Sequence, residues 1–326
     1  MDFFNSMFSK NRERKYTKKQ IRPLAKTRKN KAAIPLKKMN CSPLVKGKTA
    51  SDKTCYTKEV LIQIRDAYNK SHDDTDKIVS DDANEIWNAL RTKLLHCKKE
   101  DCWLKELKDP ELHENIDKYI FAPDSPPEWD KNPNEWLSNI DILNVLSQYQ
   151  RTYKNFRFLG PSPIDFDAKM EGRTDTCIEN TICKLSVKKQ LKDRKKKIGI
   201  IFNLDKHNEP GSHWVSFFID LDERVLFYFD SAGDSIPEEV GHLRDRIMEE
   251  GKTLGMKFKY YDNEGRKHQV GGTECGMYSL FFIVTMLTGE INNKKMSMKQ
   301  RIHLFKEGNI SDKYVEKYRK IYFNHS

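Results

Sequence analysis

Apolar residues recur at helical spacing in the first third of the chain and at strand spacing in the last. Val60, Ile62, Ile64 and Ala67 give residues 56–72 an imperfect apolar face, which predicts a helix. Ile86, Trp87, Leu90, Leu94 and Leu95 stand three and four apart and predict a second helix over 82–97, with Asp81 or Asp82 as its cap. With CWLKEL at 102–107 these form a small helical module. The stretch 122–134, APDSPPEWDKNPN, holds four prolines and reads as a linker. A helix over about 136–154 follows, carrying Ile140, Leu143, Val145, Leu146 and Tyr149.

Beyond residue 195 the period changes. IGIIFNL (198–204), HWVSFFIDL (213–221) and RVLFYF (224–229) are rich in β-branched and aromatic residues and are separated by turn formers, so they predict strands. A helix at 237–253 and a strand at 256–261 come next. CGMYSLFFIVTMLT at 275–288 is apolar all round, as a buried core helix must be. Residues 295–323 read as an amphipathic helix. Helices first, then strands, then a central apolar helix make an α+β fold. The expected divisions are a basic tail over 1–50, a helical arm domain over 51–125 and a main domain over 126–326.

Charge changes the picture only at the N-terminus. Residues 1–40 hold 13 Lys/Arg and 2 acidic residues, while the rest of the chain carries 46 of each sign. The net +11 therefore sits on the tail. Two readings stand: a solubilising tail, or an electrostatic hook for DNA or another polyanion through residues 1–40.

The start, MDFFNSMFSKNRERK, has an apolar patch too short for a signal sequence. No run of about 18 apolar residues offers a membrane span. The seven cysteines, an odd number without a signal, predict reduced thiols in a cytosolic setting. Cys97 with Cys102, and Cys177 with Cys183, fit no common zinc spacing, so they read as packing residues and no metal site is expected.

Three short segments carry the candidate chemistry. His213 begins a strand, Asp230 ends one, and Gln269 precedes Cys275 by six residues just before the apolar helix. A cysteine becomes a nucleophile as its thiolate, which a neighbouring imidazole and a helix N-terminus both favour. A carboxylate orients that imidazole and stabilises its cation. The Gln269 amide and the Cys275 backbone N–H could face a developing oxyanion. Each residue alone has a bland reading: a packing thiol, a surface histidine, a turn aspartate. All four in this order, each at an element boundary, are far less ordinary.

These residues resemble the SUMO-protease (ubiquitin-like-protein-specific protease) superfamily of cysteine peptidases. WLSNIDI at 136–142 resembles that family's helix start, His213-Trp214 its histidine and tryptophan, FYFDSAG at 227–233 its strand ending in Asp-Ser, and Gln269 through Gly276 its Gln-x5-Cys-Gly segment. The likeness extends to the polyprotein-processing proteases of large cytoplasmic DNA viruses of the African swine fever type. With these the chain shares a helical arm and a segment like YKNFRFLGPSPIDF at 153–166.

The resemblance implies a papain-like or adenain-like fold with a central mixed sheet and a buried nucleophile helix. It makes Cys275 the nucleophile, His213 the base and acid, Asp230 the orienting residue and Gln269 the oxyanion donor. Trp136 and Trp214 match the pair that covers a glycine-admitting substrate channel. Ser138 and Asn139 replace the family's Asn-Asp pair, which leaves the hydrogen bonding of that helix start open. The implied function is cleavage of viral structural polyproteins at Gly-Gly type sites, at the assembly site in the host cytoplasm and in the virion, without a cofactor. The alternatives are a protease that removes ubiquitin-like modifiers from host proteins, and a basic nucleic-acid-associated virion protein with an inert protease fold.

Overall fold

Strand β3 (Trp214–Asp220) has all seven residues buried, because the sheet around it is covered on both faces. In this computed structural model, which describes residues 35–325 apart from 108, 171, 173 and 174, five strands lie in the order β1-β2-β3-β4-β5. They are β1 (Phe156–Pro163), β2 (Lys197–Asn203), β3, β4 (Val225–Phe229) and β5 (Lys259–Tyr261). β2, β3 and β4 run antiparallel in turn, while β1 and β5 pair parallel at the two edges. β1 was not foreseen as a strand: Gly160, Pro161 and Pro163 punctuate it, and its register shifts between Leu159 and Ser162. β5 is shorter than expected, because only three of its residues find partners on β4.

The strands alternate as half-buried strands should, but both sides meet cover. Trp214, Phe218, Phe227 and Phe229 face α9 (Cys275–Thr288) and α5 (Asn139–Thr152). Val215, Phe217, Leu226 and Tyr228 face α7 (Val187–Lys192) and α8 (Glu238–Thr253). Thirteen of the fourteen residues of α9 are buried, so its all-round apolar sequence is accounted for. Gly199 on β2 lets the helix sit close, since a Cβ there would stand 2.9 Å from Ile283. The short helix α6 (Asn180–Cys183) precedes α7.

The arm has its own apolar cluster. It comprises α1 (Lys58–Lys70), α2 (Ala83–Lys93), α3 (Asp101–Glu106) and α4 (Pro110–Ile120), packed around Tyr56, Leu61, Ile86 and Trp103. Thr57, Asp82 and Asp109 cap α1, α2 and α4 by accepting backbone N–H bonds of the first turn. The tail was drawn to residue 50, but the folded part begins earlier. Met39 and Val45 are buried in the arm cluster, and Cys41 bridges Phe121. Residues before 35, which hold most of the basic segment, lie outside the described residues.

The expectation of reduced thiols is overturned. Cys41–Cys55, Cys97–Cys102 and Cys177–Cys183 are disulfides, with Cα separations of 5.2, 5.5 and 6.3 Å that a bridge can span. Residues 295–323 form three helices rather than one: α10 (Met298–Lys306), α11 (Asp312–Glu316) and α12 (Arg319–Tyr322). Gly308 and the Ser311 N-cap break the period. Two-residue strands Glu290–Ile291 and Lys294–Lys295 precede them. Among the described residues no helix is long and apolar enough to cross a membrane.

Candidate active site

The β3–β4 hairpin brings the residue before β3 and the residue after β4 to one end of the sheet, through pairs such as Ser216↔Phe229. Those residues are His213 and Asp230. His213 Nε2 donates to Asp230 Oδ1 at 2.6 Å, and the carboxylate is fully buried. The Ala232 N–H donates to the same oxygen at 2.8 Å. Bonding Nε2 to the carboxylate leaves Nδ1 for the thiol of Cys275, whose interaction with the ring favours the imidazolium. Burial of the ring opposes its charge, but the bonds to Asp230 and Cys275 outweigh that and lift the His213 pKa to about 10.

Cys275 is the first residue of α9 and is the free cysteine among the described residues. The helix N-terminus adds partial positive charge beside its sulfur. Close packing favours glycine at 276: a Cβ there would stand 3.1 Å from Leu137 Cβ and 3.3 Å from Trp214 Cδ1. Trp214 is itself fixed, donating Nε1–H to the Leu137 carbonyl at 3.0 Å. Trp136 is 40% exposed and shares with Trp214 the lining of a cleft of about 450 Å³. Asn139, Pro163 and Gly211 lie along the same cleft. The helix start left open in the sequence is a reciprocal cap. Ser138 Oγ accepts from the Asp141 N–H while Asp141 accepts from the Ser138 N–H.

Gln269 is buried, but its amide is held more tightly than expected. Oε1 accepts from Ser231 Oγ at 2.8 Å, and Nε2 donates to the Gly271 carbonyl at 2.7 Å. A primary amide nitrogen carries two N–H bonds, so one remains without a partner among the described residues. The sequence thus places the amide in the right loop without revealing what turns it.

Several supporting residues were missed. Asn263 clamps the backbone of Asp230, accepting from its N–H at 3.0 Å and donating to its carbonyl at 2.6 Å. Glu274, next to Cys275, forms a two-bond ion pair with Arg319 at 2.8 and 3.1 Å. Burial raises the Glu274 pKa, and the guanidinium partly offsets that. Nothing in the local sequence separates Asn263 from an ordinary turn former. The adjacency of Glu274 to Cys275 was the one available signal.

The His96, Cys97 and Cys102 donor atoms lie within 4.8 Å of one another. The two sulfurs are bonded to each other, so this group is not arranged to hold an ion.

Assembled, the site couples an imidazole to a buried carboxylate and to a thiol at a helix start, with the Gln269 amide in the loop that leads into that helix. That arrangement is suited to thiolate attack on a carbonyl. Residues 139–325 match the Ulp1 protease family, C-terminal catalytic domain. The cysteine protease of African swine fever virus (isolate Tick/Malawi/Lil 20-1/1983) is 33% identical over 254 residues, covering 68% of this chain and 88% of that protein. A thiol-protease relative from Acanthamoeba polyphaga mimivirus is 33% identical over 159 residues, 48% of this chain and 49% of the relative, so the match spans about half of that protein. The crystal structure of the African swine fever virus protease superposes with a TM-score of 0.59 at 20% identity, over 90% of this chain and 98% of that one, which shows a shared fold. By the family match over more than half of its length and by the extent of the swine fever likeness, this chain belongs to the Ulp1 protease family of cysteine peptidases.

Proposed function

We propose that the protein is a cysteine endopeptidase that cuts viral structural polyproteins after small residues, Gly-Gly above all, during virion maturation at the assembly site in the host cytoplasm and in the virion. The observation that carries the chemistry is the 2.6 Å bond between His213 and the buried Asp230, on a ring that also interacts with Cys275. His213 takes the Cys275 proton, and the thiolate sulfur attacks the scissile carbonyl carbon. The oxyanion is met by the Cys275 backbone N–H and the Gln269 amide. His213 then gives its proton to the leaving amine, and the C–N bond breaks to leave a thioester. Water, deprotonated by the same ring, hydrolyses that thioester and restores the thiol. Asp230 keeps the ring oriented and stabilises its cation.

Specificity is assigned to the tryptophan-lined cleft. Trp214 is pinned by Leu137 and crowded by α9 at Gly276, so this wall has little room to yield to a bulky residue near the cut. Two arms test the proposal. Candidate virion precursors are incubated with the protein and with Cys275→Ala, and product termini are read by mass spectrometry. Cuts after glycine pairs that vanish in Cys275→Ala are expected. Efficient cleavage of a Leu-Leu peptide in place of its Gly-Gly version would defeat the specificity, and Trp214→Ala is expected to relax it.

A further inference from the structure

The two donors assigned to the oxyanion stand on different elements. The Cys275 N–H belongs to α9, and the Gln269 amide belongs to the loop before it. That loop continues through Val270, 85% exposed, and two glycines, so its own packing restrains it weakly. Something outside the loop must set the distance between the donors.

The candidate is Asp312, the first residue of α11. Its carboxylate accepts hydrogen bonds from two successive backbone N–H groups of the loop. Gly271 N–H donates to Oδ2 at 2.7 Å, and Val270 N–H lies 3.1 and 3.2 Å from the two oxygens. The same carboxylate reaches the catalytic helix. Tyr278 Oη, one turn after Cys275 on α9, stands 2.9 Å from Asp312 Oδ1 and 2.7 Å from the Ile310 carbonyl. Tyr278 is fully buried, so its hydroxyl is a fixed point rather than a mobile one. One carboxylate thus ties the donor loop to the nucleophile helix. On the far side Ser231 holds the amide itself, its hydroxyl on Gln269 Oε1 and its carbonyl accepting the Gln269 N–H at 2.9 Å.

We infer that Asp312 is a positioning residue for the oxyanion site, fixing the Gln269 loop against the Cys275 helix through the Val270 and Gly271 N–H groups and the Tyr278 hydroxyl. The inference rests on the reading that Gln269 meets the oxyanion. Asparagine at 312 would keep the shape but leave one neutral carbonyl oxygen to accept from both loop N–H groups in place of a charged carboxylate, its amide nitrogen donating to the Tyr278 hydroxyl. The loop would then move by a fraction of an ångström to an ångström, enough to weaken a donor that must lie within hydrogen-bond distance of the oxyanion.

The test uses the full chain, a fluorogenic Gly-Gly peptide, the matching peptide aldehyde and iodoacetamide. The aldehyde adds the Cys275 thiol to give a tetrahedral hemithioacetal whose oxygen occupies the oxyanion position, whereas alkylation by iodoacetamide places no oxygen there. Asp312→Asn is expected to lower kcat by about tenfold to a hundredfold with KM little changed. Aldehyde affinity should fall by the same factor as kcat/KM, while the rate of Cys275 alkylation stays near that of the unmodified protein. The double variant Asp312→Asn/Gln269→Ala should be no slower than Gln269→Ala alone. Additive losses, or alkylation that falls in step with kcat, would overturn the inference. Should Asp312→Asn fail to fold, Gly271→Ala serves instead, since its methyl would press on Asp312 Oδ2 from 3.3 Å. The same pattern is required of it. Unchanged aldehyde affinity in Gln269→Ala strikes the oxyanion reading beneath the inference. A loss in Gln269→Ala with none in Asp312→Asn strikes the positioning role alone.

Discussion

Two charge pairs flank Cys275, and they are built to opposite ends. His213–Asp230 is open on one side: the histidine side chain is 21% exposed and only one ring nitrogen is committed to the carboxylate. Glu274–Arg319 is closed: both side chains are at most 5% exposed, and the guanidinium also donates to the Pro133 and Glu135 carbonyls. It lies over Trp129 as well, 4.4 Å from the ring centre. The first pair leaves a nitrogen free to exchange a proton. The second uses nearly every donor it has, and joins the residue before Cys275 to the residue before Trp136. The same attraction serves reactivity in one place and rigidity in the other, and the difference lies in how many donors are left over.

The largest expected effect breaks the open pair. His213→Ala should reduce peptide turnover by about 10⁴-fold or more, close to Cys275→Ala, because the groups act as a unit. Asp230→Asn should cost less, since an amide oxygen still accepts from the ring. Steady-state assays with the Gly-Gly peptide decide this, and near-normal turnover in His213→Ala would remove the histidine from the mechanism.

Next comes the closed pair. Arg319→Ala leaves a buried carboxylate uncompensated, which costs about 3–5 kcal/mol. For a chain of this size each kcal/mol lowers Tm by about 1–2 °C. The joint replacement Arg319→Met with Glu274→Leu should recover most of the loss, because the charge and its counter-charge leave together. A thermal melt of Arg319→Ala that matches the unmodified protein would show the pair to be idle.

The third comparison separates the pairs by pH. The folded-state pKa of His213 is raised from 6.5 to about 10, so the protonated ring stabilises the fold. That contribution is complete below about pH 6.5 and fades as pH rises through about 10. The Tm gap between the unmodified protein and His213→Gln should therefore shrink from pH 6.5 to 10. The gap for Arg319→Ala should stay level from pH 8 to 10, because arginine keeps its charge throughout. Parallel melts of the three proteins measure both, and a His213 gap that widens with pH would reverse the assignment.

What the sequence reveals is set by how far a residue's role extends along the chain. Helix α9 is legible because being apolar all round has one physical meaning. His213 and Asp230 are legible because strand ends joined by a short hairpin must meet. Asp312 and Arg319 are not, since each sits in a polar-looking helix and acts on residues some 40 positions earlier. In an amphipathic segment a charged residue reads as solvated, yet Arg319 is 4% exposed. The disulfides were hidden for a similar reason. An odd count and unfamiliar spacings say nothing about which Cα atoms the fold brings within bridging distance.

The hairpin that joins His213 to Asp230 also sets an order of assembly. Base and carboxylate are 17 residues apart and meet as soon as β3 and β4 pair. Cys275 follows Asp230 by 45 residues, and Arg319 follows Glu274 by 45 more. Contacts between neighbouring segments close faster than contacts across long loops. A chain emerging from the ribosome has therefore made both members of the His213–Asp230 pair before Cys275 is added. The ion pair that braces the residue beside Cys275 can form only after residue 319 has been made, so the two pairs differ in when they can close as well as in how tightly.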